Sequence, residues 1–74
     1  MIRWVIFDGE DVIGRVHSKL DSIDMAMLYS KTIFPELEAL RLKSWDHASK
    51  RERAAAKRAQ LVRPEMCTRM WRNA

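Results

Sequence analysis

The side chains that could take part in chemistry are few and scattered, apart from a concentrated set of cations. Nucleophilic catalysis needs a Ser or Cys beside a base, with an acid that orients the base. The chain has two histidines, His17 and His47, and one cysteine, Cys67. Their spacing matches neither a catalytic motif nor a metal-ligand motif. We therefore expect no enzymatic activity, no metal and no other cofactor.

Three acidic residues lie close together in one short stretch, namely Asp8, Glu10 and Asp11. Carboxylates grouped in a loop can bind a divalent cation. A group of this kind between two strands is more often simply hydrated, so we do not count it as a metal site.

The cations are concentrated towards the C-terminus. The formal net charge is +4, but residues 1–49 hold six Lys/Arg against eight Asp/Glu, whereas residues 50–74 hold eight against two. A near-neutral body with a basic tail suggests that the tail meets an anionic partner, although charge can also serve solubility alone. The candidate nucleic-acid-binding residues are Lys50, Arg51, Arg53, Lys57, Arg58 and Arg63.

Like charges recur at helical spacing within this basic stretch. Lys50 and Arg53 lie three residues apart, and Arg53 and Lys57 lie four apart. Such pairs destabilise an isolated helix, and Glu52 has no Lys or Arg three or four residues after it. Phosphates or an acidic protein surface would relieve this repulsion.

The elements that must position these residues follow from hydrophobic periodicity and turn signals. Strands are predicted over residues 4–7, 12–17 and 40–43, with a turn at Gly9 and a helix over 22–34. Gly14 within the second strand indicates a bulge or a close approach by the following helix. The apolar stripe of the helix comprises Ile23, Ala26, Met27, Ser30, Ile33 and Phe34.

The predicted fold class is α+β, a small ββαβ antiparallel sheet with one packed helix, followed by a basic C-terminal helix and tail. We divide the chain into a compact body, residues 1–46, and a basic C-terminal helix and arm, residues 47–74. The helix of the arm is predicted over residues 49–62, which are rich in Ala, Lys, Arg, Glu and Gln.

A second candidate surface is the sheet face away from the first helix. If Leu40 and Leu42 point inward, their neighbours point outward and mix aromatic with basic side chains. Such a face is typical of single-strand-binding platforms and of protein-binding surfaces. Alternatively, its aromatic residues pack beneath the C-terminal helix as a second side of the core. The candidate partner-binding residues are Phe7, Arg15, Arg41, Lys43, Trp45 and Trp71.

Trp71 belongs to a short apolar stretch of the tail with Met66, Cys67 and Met70 at four-residue spacings. It could anchor a partner or close the protein's own small core, and both alternatives stay open.

Size and composition narrow the class of protein. A chain of 74 residues forms one small domain with limited burial. Its longest apolar run, residues 4–7, is too short to span a bilayer, and the N-terminus lacks the pattern of a signal peptide. One cysteine excludes an internal disulfide and fits a reducing compartment. We expect a cytoplasmic protein without membrane contact.

The body resembles small phage-encoded proteins. The resemblance lies in residues 4–9 (WVIFDG), residues 12–16 (VIGRV) and a helix that ends with Ile33-Phe34-Pro35. In its size, its ββαβ order and its basic arm, the chain is similar to small Xanthomonas-phage regulators of host RNA polymerase. The resemblance is one of architecture and covers most of the chain. It does not allow any functional residue to be assigned from that family.

The resemblance implies that the protein binds bacterial RNA polymerase, blocking initiation or promoting antitermination near the RNA exit path. The body would dock through sheet residues such as Phe7 and Arg15, and the arm would lie close to nucleic acid. Three other functions remain open: a direct RNA- or DNA-binding protein, an inhibitor of a host defence or nuclease complex, and a minor subunit of a ribonucleoprotein or virion.

Overall fold

The computed structural model describes residues 1–65 and shows the element order β-β-α-β-α-β. The elements are β1 (Ile2–Asp8), β2 (Asp11–His17), α1 (Ile23–Ile33), β3 (Leu40–Ser44), α2 (Lys50–Lys57) and β4 (Gln60–Val62). A single 3-10 turn, Trp45–His47, joins β3 to the segment before α2. The predicted α+β class, with a ββαβ order and a packed helix, is confirmed.

β1 and β2 form the predicted hairpin. Both strands are rich in β-branched and aromatic residues, which favour extended backbone. Asp8 pairs with Asp11, so Gly9 and Glu10 form the turn. Gly9 has a φ of 62°, in the left-handed region that glycine enters without a steric penalty. The N–H of Gly9 also donates to the carbonyl of Ala39 at 3.0 Å, which ties the turn to the start of β3.

Gly14 lies next to a β-bulge, as its position in the strand predicts, but the close approach there is made by β4 and not by the following helix. The β1–β2 register shifts between Ile6 and Phe7, and Ile13 is the extra residue of the bulge. A Cβ on Gly14 would lie 3.0 Å from Cδ1 of Ile6 and 3.2 Å from the carbonyl oxygen of Gln60. Glycine at this position therefore lets β4 lie against β2.

The sheet is mixed, with the strand order β3-β1-β2-β4. β1 is antiparallel to β2 and β3, whereas β4 is parallel to β2. The chain thus crosses the sheet twice, through α1 in one direction and through α2 in the other. Crossovers between parallel strands share one handedness, so two that run in opposite directions must lie on opposite faces.

Each helix covers one face of the sheet. The α1 face buries Ile6, Val16, Leu20, Ala26, Tyr29 and Val62. The α2 face buries Val5, Phe7, Ala48 and Ala56, with Val12 and Trp45 partly buried beside them. Both faces of the sheet are therefore core, and the sheet lies between two helical layers.

Three details of the prediction need correction. The helix predicted over residues 49–62 ends at Lys57, and Gln60–Val62 is a strand because Val62 is fully buried beside Val16. The boundary predicted at residue 46 is not an edge of the folded body, since Ala56 and Val62 are part of its core. Ile23, assigned to the core stripe of α1, is 51% exposed.

Candidate nucleic-acid interface

α2 begins at a capping box. The backbone N–H of Glu52 donates to Oγ of Ser49 at 3.1 Å, and the N–H of Ser49 donates to Oε1 of Glu52 at 2.8 Å. This reciprocal pair satisfies two N–H groups that have no partner within the helix. The cap fixes where α2 starts and therefore which of its side chains face the sheet.

Glu52 also ties α2 to the sheet. Nζ of Lys43 in β3 donates to Oε1 of Glu52 at 3.0 Å, and the two side chains are 36% and 23% exposed. The N–H of Ser49, and after it the Lys43 ammonium, lower the pKa of the Glu52 carboxyl. Lys43, predicted to contact a partner, is thus engaged in an internal ion pair.

Arg53 holds the underside of α2 against the 3-10 turn. Its Nε donates to the carbonyl of Trp45 at 2.9 Å, and its Nη2 donates to the carbonyl of Asp46 at 3.2 Å. The guanidinium also lies 5.6 Å from the centre of the Trp45 ring, within the range of a cation–π contact. Arg53, predicted to bind nucleic acid, has a structural role in the folded protein.

The open aromatic sheet face is absent, because α2 and the 3-10 turn cover it. Phe7 is only 1% exposed, so it belongs to the core and not to an exposed sheet surface. Arg41 lies over the Phe7 ring, with its guanidinium 4.2 Å from the centre, and its Nε donates to the carbonyl of Gly9 at 2.8 Å. Trp45 is half-buried on the same side. The prediction that these residues form a second side of the core is the one that the structure supports.

Two further residues of the predicted sites, Arg15 and Arg63, lie near β4. Arg15 pairs with Val5 and therefore faces the α2 side, partly buried, with its Nε enclosed and without a hydrogen-bond partner. Arg63 follows β4 directly and is exposed. Trp71 lies outside the described residues, as do Met66, Cys67 and Met70.

Four cations on the outer side of α2 differ from the basic residues described above, which contact other parts of the protein. Lys50, Arg51, Lys57 and Arg58 are exposed. Within residues 1–65, none of their side chains makes a hydrogen bond, an ion pair or a ring contact. We call these four residues the cationic face.

The helical geometry arranges the cationic face as two rows. Lys50 and Lys57 are seven residues apart, as are Arg51 and Arg58, so each row spans about 10 Å along the axis. Ala54 is exposed between the two ends. The opposite side of α2 carries Ala56, which is buried against the sheet. Long cationic side chains thus surround a small central residue.

Within residues 1–65, no three His, Cys, Asp or Glu side chains, those of the hairpin turn among them, group closely enough to hold a metal ion. Neither described helix has the length and apolar character needed to cross a membrane.

Comparison with known proteins gives no assignment: no protein-family model, curated protein or solved structure matches the chain. The site therefore has to be interpreted from its own geometry.

The sequence held one signal that would have separated the structural cations from the exposed ones. Ser49-Lys50-Arg51-Glu52 has the S-x-x-E pattern of a capping box. That pattern fixes Ser49 as the N-cap, from which helical periodicity assigns each later residue to the inner or the outer side. The group selected in this way carries the charge and the hydrogen-bond donors that can pair with phosphate.

Proposed function

We propose that this protein is a non-catalytic nucleic-acid-binding protein that contacts phosphates through the cationic face. The observation that supports this most is the division among the basic residues. Lys43 and Arg53 are engaged within the protein, whereas Lys50, Arg51, Lys57 and Arg58 project outward without a partner among the described residues. An array of this kind is the usual electrostatic footprint of phosphate binding.

The position of two of these cations adds to the argument. Lys50 and Arg51 lie in the first turn of α2, where the helix macrodipole disfavours positive charge. Lys50 is also three residues before Arg53, which is a repulsive spacing. A phosphate bound near this turn would offset both effects.

The composition of the face predicts contact with the backbone of the nucleic acid. Its members are Lys and Arg around Ala54, which pair with phosphates and can also pair with guanine, and it holds no Asn, Gln or acidic side chain that would read adenine or cytosine. Contacts of this kind position a protein on nucleic acid and carry little sequence information. We therefore expect binding that depends strongly on salt and weakly on sequence.

The resemblance to small phage-encoded regulators gives this activity a setting. In this more specific form of the proposal, the protein works in the cytoplasm of a bacterial host and binds RNA polymerase. The cationic face would then lie against nucleic acid near the RNA exit path, where it would block initiation or promote antitermination.

The salt dependence of affinity tests the role of the cationic face. If four phosphates are contacted, the slope of log K against log salt should be about −3.6 for duplex and about −2.8 for single-stranded probes. The double variant Arg51→Gln/Arg58→Gln should reduce the slope on duplex by about 1.8.

The matched control is Arg3→Gln/Lys19→Gln, which removes the same net charge from exposed positions outside α2. It should leave the slope close to that of the wild type. Equal slopes for the two double variants would mean that net charge, and not this face, determines binding, and the proposal would fail.

The polymerase setting needs a separate test. Tagged protein would be used to capture partners from nuclease-treated bacterial lysate, followed by mass spectrometry and a terminator read-through assay. Recovery of polymerase subunits would support the setting. It would be further supported if Lys57→Glu/Arg58→Glu/Arg63→Glu altered read-through. Recovery of a nuclease or defence complex instead would refute the polymerase setting, and recovery of no protein would leave direct nucleic-acid binding alone.

A further inference from the structure

The outward side of α1 carries apolar side chains that no described element covers. Met25 and Leu28 are 40% and 47% exposed. At about 100° per residue, Leu28 points away from Ala26 and Ser30, which are both fully buried against the sheet. Met25 and Leu28 lie three residues apart, so they form one small exposed apolar patch on this side of the helix.

Charged residues flank Leu28 on the same side of the helix. Asp24 lies four residues before Leu28 and Lys31 lies three residues after it, and both are exposed. Neither side chain makes an ion pair or hydrogen bond within residues 1–65. Asp24 and Lys31 are seven residues apart, so they occupy one row of the helix, with opposite charges at its two ends.

This row is complementary to itself when reversed. If two copies of α1 pack antiparallel about a two-fold axis beside Leu28, Asp24 of each copy lies opposite Lys31 of the other. In the same arrangement Met25 of each copy lies opposite Thr32 of the other copy. Met25 and Thr32 are also seven residues apart and form a second row, on the other flank of Leu28. A two-fold contact requires a surface that matches its own reverse, and the α1 face satisfies this requirement in charge.

We propose that the protein forms a homodimer through α1, with Leu28 at the two-fold axis and two Asp24–Lys31 ion pairs between the copies. The inference does not rest on the proposed function. α1 and α2 cover opposite faces of the sheet. The dimer therefore leaves both cationic faces outward and accessible.

The contact is small, so the dimer is weak. An α1 of eleven residues is about 16 Å long, and its face is well below the ~800 Å² per partner of a standard interface. We expect a dissociation constant between about 10 µM and about 1 mM.

Sedimentation equilibrium of the full chain over that concentration range tests the proposal. The wild type should shift from monomer to dimer. Asp24→Lys and Lys31→Asp should each weaken the dimer roughly tenfold, because like charges then meet at two symmetric places. Leu28→Glu should weaken it further.

The double variant Asp24→Lys/Lys31→Asp restores opposite charges across the two-fold axis and should dimerise within about threefold of the wild type. Both of its new charges oppose the macrodipole of α1, so recovery could not come from a more stable helix. An equimolar mixture of the two single variants should form a heterodimer more readily than either variant forms a homodimer. Circular dichroism would establish that every variant is folded.

A wild type that remains monomeric up to about 1 mM would overturn the proposal. It would also be overturned if the wild type dimerised but the single and double charge variants did so equally well, because another surface would then make the contact. Measurements of nucleic-acid affinity on the same variants should show little change in intrinsic affinity per protomer, which keeps this test separate from that of the cationic face.

Discussion

At the scale of single residues, Glu52 shows how one side chain can set the geometry of the cationic face without belonging to it. Its carboxylate accepts hydrogen bonds from the N–H of Ser49 and from Nζ of Lys43. It thereby fixes the start of α2 and pairs with Lys43 of β3. The outward direction of Arg51 and Lys50 follows from this arrangement.

Glu52 should make stability depend on pH in the acid range. Because the folded state lowers the pKa of Glu52, the carboxylate stabilises the fold above the ordinary glutamate pKa of about 4.3. That contribution is lost as the pH falls through the lowered folded-state value. Thermal unfolding of the wild type and Glu52→Gln should show a higher midpoint for the wild type at pH ~6, and a difference that shrinks towards zero by pH ~2.5.

The control for this measurement is Glu38→Gln, which changes an exposed carboxylate that has no side-chain partner among the described residues. It should follow the wild type at every pH. A gap between the wild type and Glu52→Gln that persists unchanged to the acid end would show that the carboxylate is not the source of the stabilisation.

At the scale of elements, α2 is a short helix with an arginine at each end. The helix macrodipole disfavours the positive charge at the first end and favours it at the second. Arg51 lies in the first turn and Arg58 is the C-cap residue. Both are exposed, both lack a charged residue three or four positions away within α2, and both belong to the cationic face. They form a matched pair that differs mainly in position relative to the macrodipole.

Arg51→Glu and Arg58→Glu should therefore have opposite effects on stability and similar effects on binding. Arg51→Glu should stabilise the protein by about 0.3–1 kcal/mol, and Arg58→Glu should destabilise it by a similar amount. Both should weaken nucleic-acid binding. Urea denaturation and binding assays on the two proteins check this, and a stability change of the same sign in both would contradict the macrodipole account.

The elements also show what the sequence can predict. The hairpin, α1 and β3 follow from local patterns: the strand alternation, the turn at Gly9 and the stop at Pro35. β4 could not be predicted in this way, because it has only three residues and follows a stretch that favours helix. Its conformation depends on parallel pairing with β2, a distant part of the chain.

The candidate site was predictable as a group and not in its details. The charge count alone identifies Lys50 to Arg63 as basic. It does not show that Arg53 faces Trp45 or that Lys43 faces Glu52, since those contacts depend on how α2 lies on the sheet. The division into structural and exposed cations is therefore a tertiary property.

At the scale of the whole molecule, the sheet has a core on both sides although the chain is short. Ala56 is fully buried on the inner side of α2, whereas Ala54, two residues earlier, is exposed on the outer side. The same substitution at these two positions should thus separate folding from binding.

Ala56→Glu should destabilise the protein by at least about 3 kcal/mol, because it places a charge in an apolar layer. Ala54→Glu should change stability by no more than about 0.5 kcal/mol, yet it should weaken nucleic-acid binding by placing a negative charge among the cations. Chemical denaturation and a salt-dependent binding assay distinguish the two. Equal stability of both variants would show that α2 does not form a second core layer.

The parallel pairing of β4 with β2 also constrains how the chain reaches this structure. Gly14 pairs with Gln60, so the last strand cannot join the sheet until a segment of more than forty residues has closed on itself. Closure of a segment this long costs entropy before any contact repays it, and non-local contacts of this kind slow the folding of small domains. The polypeptide should accordingly fold more slowly than a helical bundle of its length. The hairpin can form early, while the layer beneath α2 is completed only when β4 takes its place.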